Sequence, residues 1–566
     1  MSRVTNLLLA GLLWAGLLLA STAALSARQP VHAKHAMVVT REPHATDVGV
    51  KVLQGGGNAV DAAVAVAFAL AVTHPSAGNL GGGGFMLVRL ADGTSTFIDF
   101  RERGPISASR NMYLDPATGQ ATRDSQLGYR ASGVPGTVRG MELAHAKYGK
   151  TAWKALVQPS VELASEGFPV SWGLSQALRG KITSEKLAQF PESKRIFLRG
   201  GAFYEVGETL KQPELAATLA RIRDTGARDF YEGETARLLA ADMAAHGGEI
   251  TLEDLKQYKA IERKALEGTY KGYGVITAPP PSSGGIGILQ MMGMLALTDY
   301  SKGGAGSASS LHYEAEVMRR YFADRAEWLG DPDFVKVPTK GLVNAEYLRK
   351  RAESVQPGKA TPSAEIKQGD PAPYESLETT HYSIVDEAGN AVSVTYTLNG
   401  GYGSGVTATG LGFLLNNEMD DFAAVPGKPN LFGLVQGEAN AVAPHKTPLS
   451  SMTPTIVTKD GKLYMVLGSP GGPTIINAVL EVMLNVIDFG MNMQQAVDQP
   501  RIHHQWMPDL ISAENTISPD TIALLQQFGH TVKTTNSIAE VAAIRIFGEW
   551  LEGAPDGRTE ATAKGY

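Results

Sequence analysis

The sequence predicts a layered α/β (α+β) fold in which β-hairpins build sheets and helices pack on them. Three observations carry this. Residues 381–386 and 391–398 are β-rich runs joined by Glu387-Ala388-Gly389-Asn390, which reads as a hairpin turn. Residues 453–458 and 462–468 repeat the pattern across Lys459-Asp460-Gly461. Residues 59–72, rich in Ala and Val and apolar nearly all round apart from Asp61, read as a buried helix with Asn58 as its N-cap. A chain of 566 residues, 43% hydrophobic and 19% charged, has core enough to hold such layers together.

Taken in order, the chain opens on Arg3, then LLLAGLLWAGLLLA at 7–20 and STAALSA at 21–27, the three regions of a secretory signal with cleavage between 23 and 27. The competing reading is an uncleaved anchor, since 7–25 is almost long enough to span a bilayer. No other segment is apolar enough to span, so the expected product is soluble and exported, periplasmic or secreted, with no stable membrane span. After the helix at 59–72, Gly81 to Gly84 permit a close backbone approach, or else a tight turn into a strand at 85–90. Residues 213–225 and 233–246 look helical, PPPSSGG at 279–285 breaks the chain before an apolar helix at 286–297, and 302–310 reads as a polar loop. Residues 356–378, QPGKATPSAEIKQGDPAPYESLE, resist packing and are expected to be mobile. Helices return at 474–487 and near 519–528.

Several chemistries are excluded. A net charge of −6 gives no attraction to nucleic acid, and the absence of cysteine removes disulfides, thiolate metal sites and a thiol nucleophile. Gly149-Lys150-Thr151 resembles the end of a phosphate loop, but residue 144 is Ala where that motif needs Gly. No serine has glycine two residues away on both sides, so there is no nucleophile elbow. His503-His504 would point to opposite faces of a strand with no carboxylate at metal-site spacing, so neither metal nor cofactor is expected.

Without cysteine, any nucleophile must be an oxygen or a nitrogen, and one hydroxyl candidate stands out. Thr379, in ETTHYSIVD, stands where the polar segment meets a strand. Hydrolysis after Glu378 would leave Thr379 with both a hydroxyl and a free α-amine, whose ordinary pKa of about 7.7 to 8 suits a general base. Downstream, Thr397 and Asn399 share a strand face, NNEMDDF at 416–422 concentrates amides and carboxylates able to meet a cationic amine, and Ser450-Ser451 supply hydroxyls. GSPGGP at 468–473 leads into a helix, where backbone N–H groups can stabilise an oxyanion. Together these describe a site that holds an amino acid by its charged ends while a hydroxyl attacks a carbonyl.

With THPSAGNLGGGGFM (73–86), DFRERGP (99–105), ASGVPG (131–136), PPPSSGG, TTHYSIVD, TYTLN, NNEMDDF, PLSSMTPT and GSPGG in one order, the chain from about residue 32 onward closely resembles the γ-glutamyltransferase (γ-glutamyltranspeptidase) family of N-terminal-nucleophile hydrolases. The resemblance implies a four-layer αββα sandwich formed jointly by two subunits of one precursor. After the signal at 1–27, residues 28–378 would be the large subunit and 379–566 the small catalytic one, cut between Glu378 and Thr379 by Thr379 itself. It further implies Thr379 as nucleophile, Thr397 as the threonine that orients it, and Gly471 and Gly472 as the oxyanion hole. Arg101, Ser450 and Ser451 would take a glutamyl α-carboxylate, and Asn399, Glu418 and Asp421 its α-ammonium. The implied partners are glutathione and other γ-glutamyl compounds as donors, with water, amino acids or dipeptides as acceptors. Two departures stand out: Glu418, where some relatives carry Gln, and Phe432 in the lid-like segment 429–440, where an aromatic hydroxyl is common. Competing functions are a related glutaryl-cephalosporin acylase, a poly-γ-glutamate hydrolase, and an uncleaved exported binding protein.

Overall fold

The structure is a computed structural model that describes residues 28–371 and 382–566. The signal-like segment and the junction holding Glu378 and Thr379 lie outside the described residues. Two seven-stranded antiparallel sheets form the centre. One runs Val31–Ala33, Trp550–Ala554, Ala542–Phe547, Lys462–Gly468, Thr455–Lys459, Tyr273–Thr277, Leu266–Tyr270. The other runs Thr562–Gly565, Met37–Thr40, Tyr382–Val385, Ala391–Thr397, Gly83–Arg89, Ser95–Phe100, Ile261–Arg263. Both sheets therefore interleave strands from before and after residue 378.

Side-chain alternation explains why the strands read as continuous apolar runs. In the second sheet Met37, Val39, Phe85, Leu87, Phe97, Val385 and Ala391 turn to the core between the sheets. Val38, Met86, Val88, Ile98, Ile384, Val392 and Val394 turn to the core beneath the helices. The sheets are also joined by hydrogen bonds: Ser383 Oγ donates to Val466 O (3.2 Å) and Ala542 O (3.1 Å), and Ser393 Oγ to Leu467 O (3.4 Å).

A helix layer covers each outer face, giving the four-layer αββα order. Ala59–Thr73 is buried along its whole length, as its composition predicts, and Asn58 forms a capping box with Asp61. Tyr382 and Tyr396 reach from the sheet to donate to the helix carbonyls of Ala63 (2.6 Å) and Ala67 (2.9 Å). On the other sheet lie Gly284–Leu295 and Thr474–Ile487, with Ala308–Trp328 packed against the former. Both expected hairpins form; at the second, Asp460 and Gly461 both take positive φ, 51° and 74°, as a tight two-residue turn requires.

Two expectations are corrected. The polar loop at 302–310 is shorter, because Ser307 caps the helix Ala308–Trp328. That helix carries Glu314, Glu316, Arg319, Arg320, Asp324 and Arg325, all buried, which breaks any apolar periodicity in the sequence. The second correction follows from it: residues 356–371 are fastened, not loose. Thr361 donates to Glu316 through N (3.0 Å) and Oγ1 (2.8 Å), Arg319 Nε donates to Ser363 Oγ (3.1 Å), and Gly369 N to Asp324 Oδ1 (2.8 Å). Trp506 Nε1 donates to Ser363 O and Ile366 O (both 3.0 Å). A polar segment packs here because the surface it meets is itself charged.

Candidate active site

The site begins at the C-terminal end of the strand Ala391–Thr397. The glycine run beside it is the close approach, not a simple turn. A methyl group on Gly82 would stand 2.0 Å from Thr397 O, and one on Gly84 2.3 Å from Thr395 O. Asn79 locks the contact, donating through Nδ2 to Thr397 O (2.8 Å) and accepting Gly82 N on Oδ1 (3.0 Å). Thr397 Oγ1 accepts from Asn399 N (3.0 Å), which leaves the hydroxyl proton to donate elsewhere.

Asn399 does not share a strand face with Thr397. The strand has ended, and Asn399 takes a left-handed φ of 74°, turning the chain toward residues 416–421. Its Nδ2 donates to Asn417 O (2.9 Å), leaving Oδ1 as the acceptor it can offer. Asn416 holds the acidic loop in place, donating to Gly81 O and Gly133 O (both 2.8 Å) and accepting Gly133 N and Glu418 N on Oδ1. The ASGVPG motif thus serves to seat NNEMDDF.

Arg101, at the end of the strand Ser95–Phe100, is fully buried. Its Nη1 pairs with Glu418 and its Nη2 donates to Asp421 Oδ2 (2.6 Å), with Glu102 3.6 Å from Nη1. Among the described residues Glu418 Oε2 has no hydrogen-bond partner. Burial pushes the Glu418 carboxyl well above the ordinary range against the pull of Arg101; it also raises Asp421, and takes Glu102 up to about 7.

Also lining the site, Ser450 is fixed by its backbone: its N donates to Pro281 O (2.9 Å), and its O accepts from Ser283 N (3.0 Å) and Oγ (2.7 Å). Gly471 and Gly472 precede the helix Thr474–Ile487 with φ of 135° and 59°, and neither N–H has a partner among the described residues. The ring of Phe432 lies over Gly472, at 3.0 Å from where a Cβ would be. One cavity of about 450 Å³ is lined by Arg101, Thr397, Asn399, Glu418, Asp421, Ser450, Ser451, Gly471 and Gly472 together. All nine of the described sequence-predicted residues meet there; the tenth, Thr379, lies outside the described residues.

The family model for gamma-glutamyltranspeptidase matches residues 45–566. The chain belongs to the γ-glutamyltranspeptidase family. It is 50% identical over 532 residues to a glutathione hydrolase proenzyme of Escherichia coli (strain K12), covering 94% of this chain and 91% of that one. Among solved structures it superposes on the cephalosporin acylase of Bacillus halodurans with a TM-score of 0.84 at 26% identity, covering 96% and 97% of the two chains. It also matches a γ-glutamyltranspeptidase of Helicobacter pylori at 41% identity, with a TM-score of 0.57 over 61% of this chain and 96% of that one.

Sequence reasoning missed several buried groups of this γ-glutamyltranspeptidase-family member. Arg325 donates from Nη2 to Ser451 Oγ (3.2 Å), and Glu102 lies beside Arg101; neither carries a local signal, since burial of one helix arginine among several is a tertiary fact. His312, Glu316 and His530 bring three potential metal ligands together, a grouping spread too far in sequence to be seen. There the Glu316 carboxylate is already taken by Arg319 and Arg320. Among the described residues no helix is long and apolar enough to cross a membrane.

Proposed function

We propose that the protein is an exported γ-glutamyltransferase and glutathione hydrolase, made as a precursor that Thr379 cuts after Glu378. The cut yields a large subunit, 28–378, and a small one of 188 residues (566 − 378), held together as a heterodimer. The observation that carries this reading is the single cavity in which buried carboxylates, paired serines and two glycine N–H groups without a partner among the described residues surround the end of one strand.

Glu418 Oε2, Asp421 and Asn399 Oδ1 are the acceptors for the donor's α-ammonium. Ser450, Ser451 and the Arg101 fork take its α-carboxylate; binding exchanges part of the Arg101–Glu418–Asp421 pairing for contacts to the substrate's two charges. Only the γ-carbonyl is then left to meet the nucleophile. Thr379 Oγ attacks that carbon while its own α-amine takes the proton, and the oxyanion is met by Gly471 and Gly472, a pair in which one lost donor typically costs about 2.7 to 4 kcal/mol. Thr397 holds Thr379 Oγ in line. Collapse transfers the proton to the leaving amine, Cys-Gly in the case of glutathione, and leaves a γ-glutamyl ester on Thr379. Water, an amino acid or a dipeptide resolves the ester.

The test is sequencing of the purified protein together with the Thr379→Ala variant. Two fragments are expected, the smaller starting at Thr379, and the variant should stay uncut and fail to release p-nitroaniline from γ-glutamyl-p-nitroanilide. An intact active chain, or an active variant, sinks the reading. The likeness to a cephalosporin acylase raises glutaryl amides as the second substrate class. The buried carboxylates at 418 and 421 favour a donor with an amine, so γ-glutamyl anilide should react faster than glutaryl anilide.

A further inference from the structure

Acidic groups outnumber the cation at the heart of the pocket. Arg101 pairs with Glu418 and Asp421 and has Glu102 3.6 Å from Nη1, so one guanidinium stands among three buried carboxyls. An α-ammonium would add a cation to this group, and the accompanying α-carboxylate a further anion that needs a cation of its own. The PPPSSGG turn, with no role yet, lies directly behind the two serines that meet that carboxylate. Ser282 Oγ donates to Met452 O (2.9 Å) and Ser283 Oγ to Ser450 O (2.7 Å).

Arg325, from the helix Ala308–Trp328, joins these parts. It is 2% exposed; Nε donates to Ser283 Oγ (2.9 Å) and Nη2 to Ser451 Oγ (3.2 Å), while Tyr321 OH fixes Ser283 O (2.8 Å). Among the described residues Arg325 forms no ion pair with a carboxylate, and its Nη1 has no hydrogen-bond partner. A buried guanidinium with neither counter-ion nor full hydrogen bonding is costly, a breach of ordinary core rules that marks functional sites. Its field reaches the pocket, since Arg325 and Asp421 each perturb the other's protonation.

We infer that Arg325 is a positioning residue for the donor's α-carboxylate: it fixes the hydroxyl of Ser451 directly and the Ser450 backbone through Ser283, and supplies the positive charge that the Arg101 group lacks. This rests on the γ-glutamyl reading above.

The full-length protein, wild type and with Arg325→Met or Arg325→Lys, is assayed on three p-nitroanilides: γ-glutamyl, glutaryl (carboxylate without amine) and 4-aminobutyryl (amine without carboxylate). Arg325→Met should raise KM at least about tenfold for the two donors that carry the carboxylate, with kcat within about threefold, and leave kcat/KM for the 4-aminobutyryl anilide unchanged. Arg325→Lys should recover part of that loss. An equal loss on all three anilides makes Arg325 merely structural and overturns the inference, as does no change on the carboxylate donors. If Arg325→Met fails to mature, Arg325→Lys alone decides, by whether its KM rise is confined to the carboxylate donors. A wild type inactive on the γ-glutamyl anilide overturns the functional reading itself, which distinguishes the two failures.

Discussion

At Gly82 a missing side chain decides where a reacting group stands. The 2.0 Å gap between a built Cβ and Thr397 O closes on backbone, which cannot rotate away. Gly82→Ala should push the end of the strand outward and lower kcat by about 10- to 100-fold, since a shift of about 1 Å in a positioning group has that effect. Thermal unfolding measured alongside should show a folded protein, so that the loss is local. Phe432 acts at the same scale. Its ring covers Gly472 without a hydrogen bond, so the side chain itself closes by contact, while the segment is held through Leu431 N to Asp420 Oδ2 (2.8 Å) and Gln505 Nε2 to Phe432 O (3.2 Å). Phe432→Tyr should shift the ratio of hydrolysis to transfer and narrow the donor range, read from product analysis with and without glycylglycine. An unchanged ratio and range would remove Phe432 as a determinant. Residues of this kind were legible as motif members, but not their geometry: Asn399 read as a strand residue because the end of a strand is set by its neighbours.

The helix Ala308–Trp328 and the segment it holds show what remains hidden at the level of elements. Alternation and turn chemistry revealed both hairpins, and unbroken apolarity revealed Ala59–Thr73, because their partners are apolar and local pattern suffices. The charged helix was illegible, since its burial depends on Arg319 and Arg320 meeting Glu316, and on Arg319 meeting Asp509, after folding. Its neighbours hold Glu316 below the usual carboxylate range even though burial pushes the other way. Glu316→Gln would leave buried Arg320 without a carboxylate and Arg319 with Asp509 alone, and would weaken the hold on Thr361. A loss of about 3 to 5 kcal/mol is expected, read by denaturant titration, together with new proteolytic nicks within residues 356–371. A change under 1 kcal/mol with no nicking would show that the fastening is incidental.

For the whole molecule, strands from both sides of residue 378 pair with one another in both sheets, so cutting the chain removes no sheet pairing and the fragments should co-elute under native conditions. The same interleaved core buries two opposed sets of titrating groups. Burial lowers His503 and His504 to about 4 and His530 to about 3, from 6.5. A depressed folded value means that stability present above 6.5 is lost as pH falls towards 4. Burial also raises Glu102 and Glu314 to about 7, from 4.5. There the sign reverses: the stabilising contribution is present below 4.5 and lost as pH rises through 7, so acidification favours the fold. Each shift corresponds to a few kcal/mol, on the order of 3, and the two sets act over nearly the same window. The wild-type melting temperature should therefore change less between pH 7 and 5 than either set alone would dictate. Glu314→Gln removes one favourable response to acid and should make the melting temperature fall across that range. His504→Gln removes one unfavourable response and should make it fall less than in wild type, or rise. Comparing slopes with pH, not absolute values, separates titration from lost packing; parallel slopes in all three proteins would mean that these groups do not titrate as their burial requires.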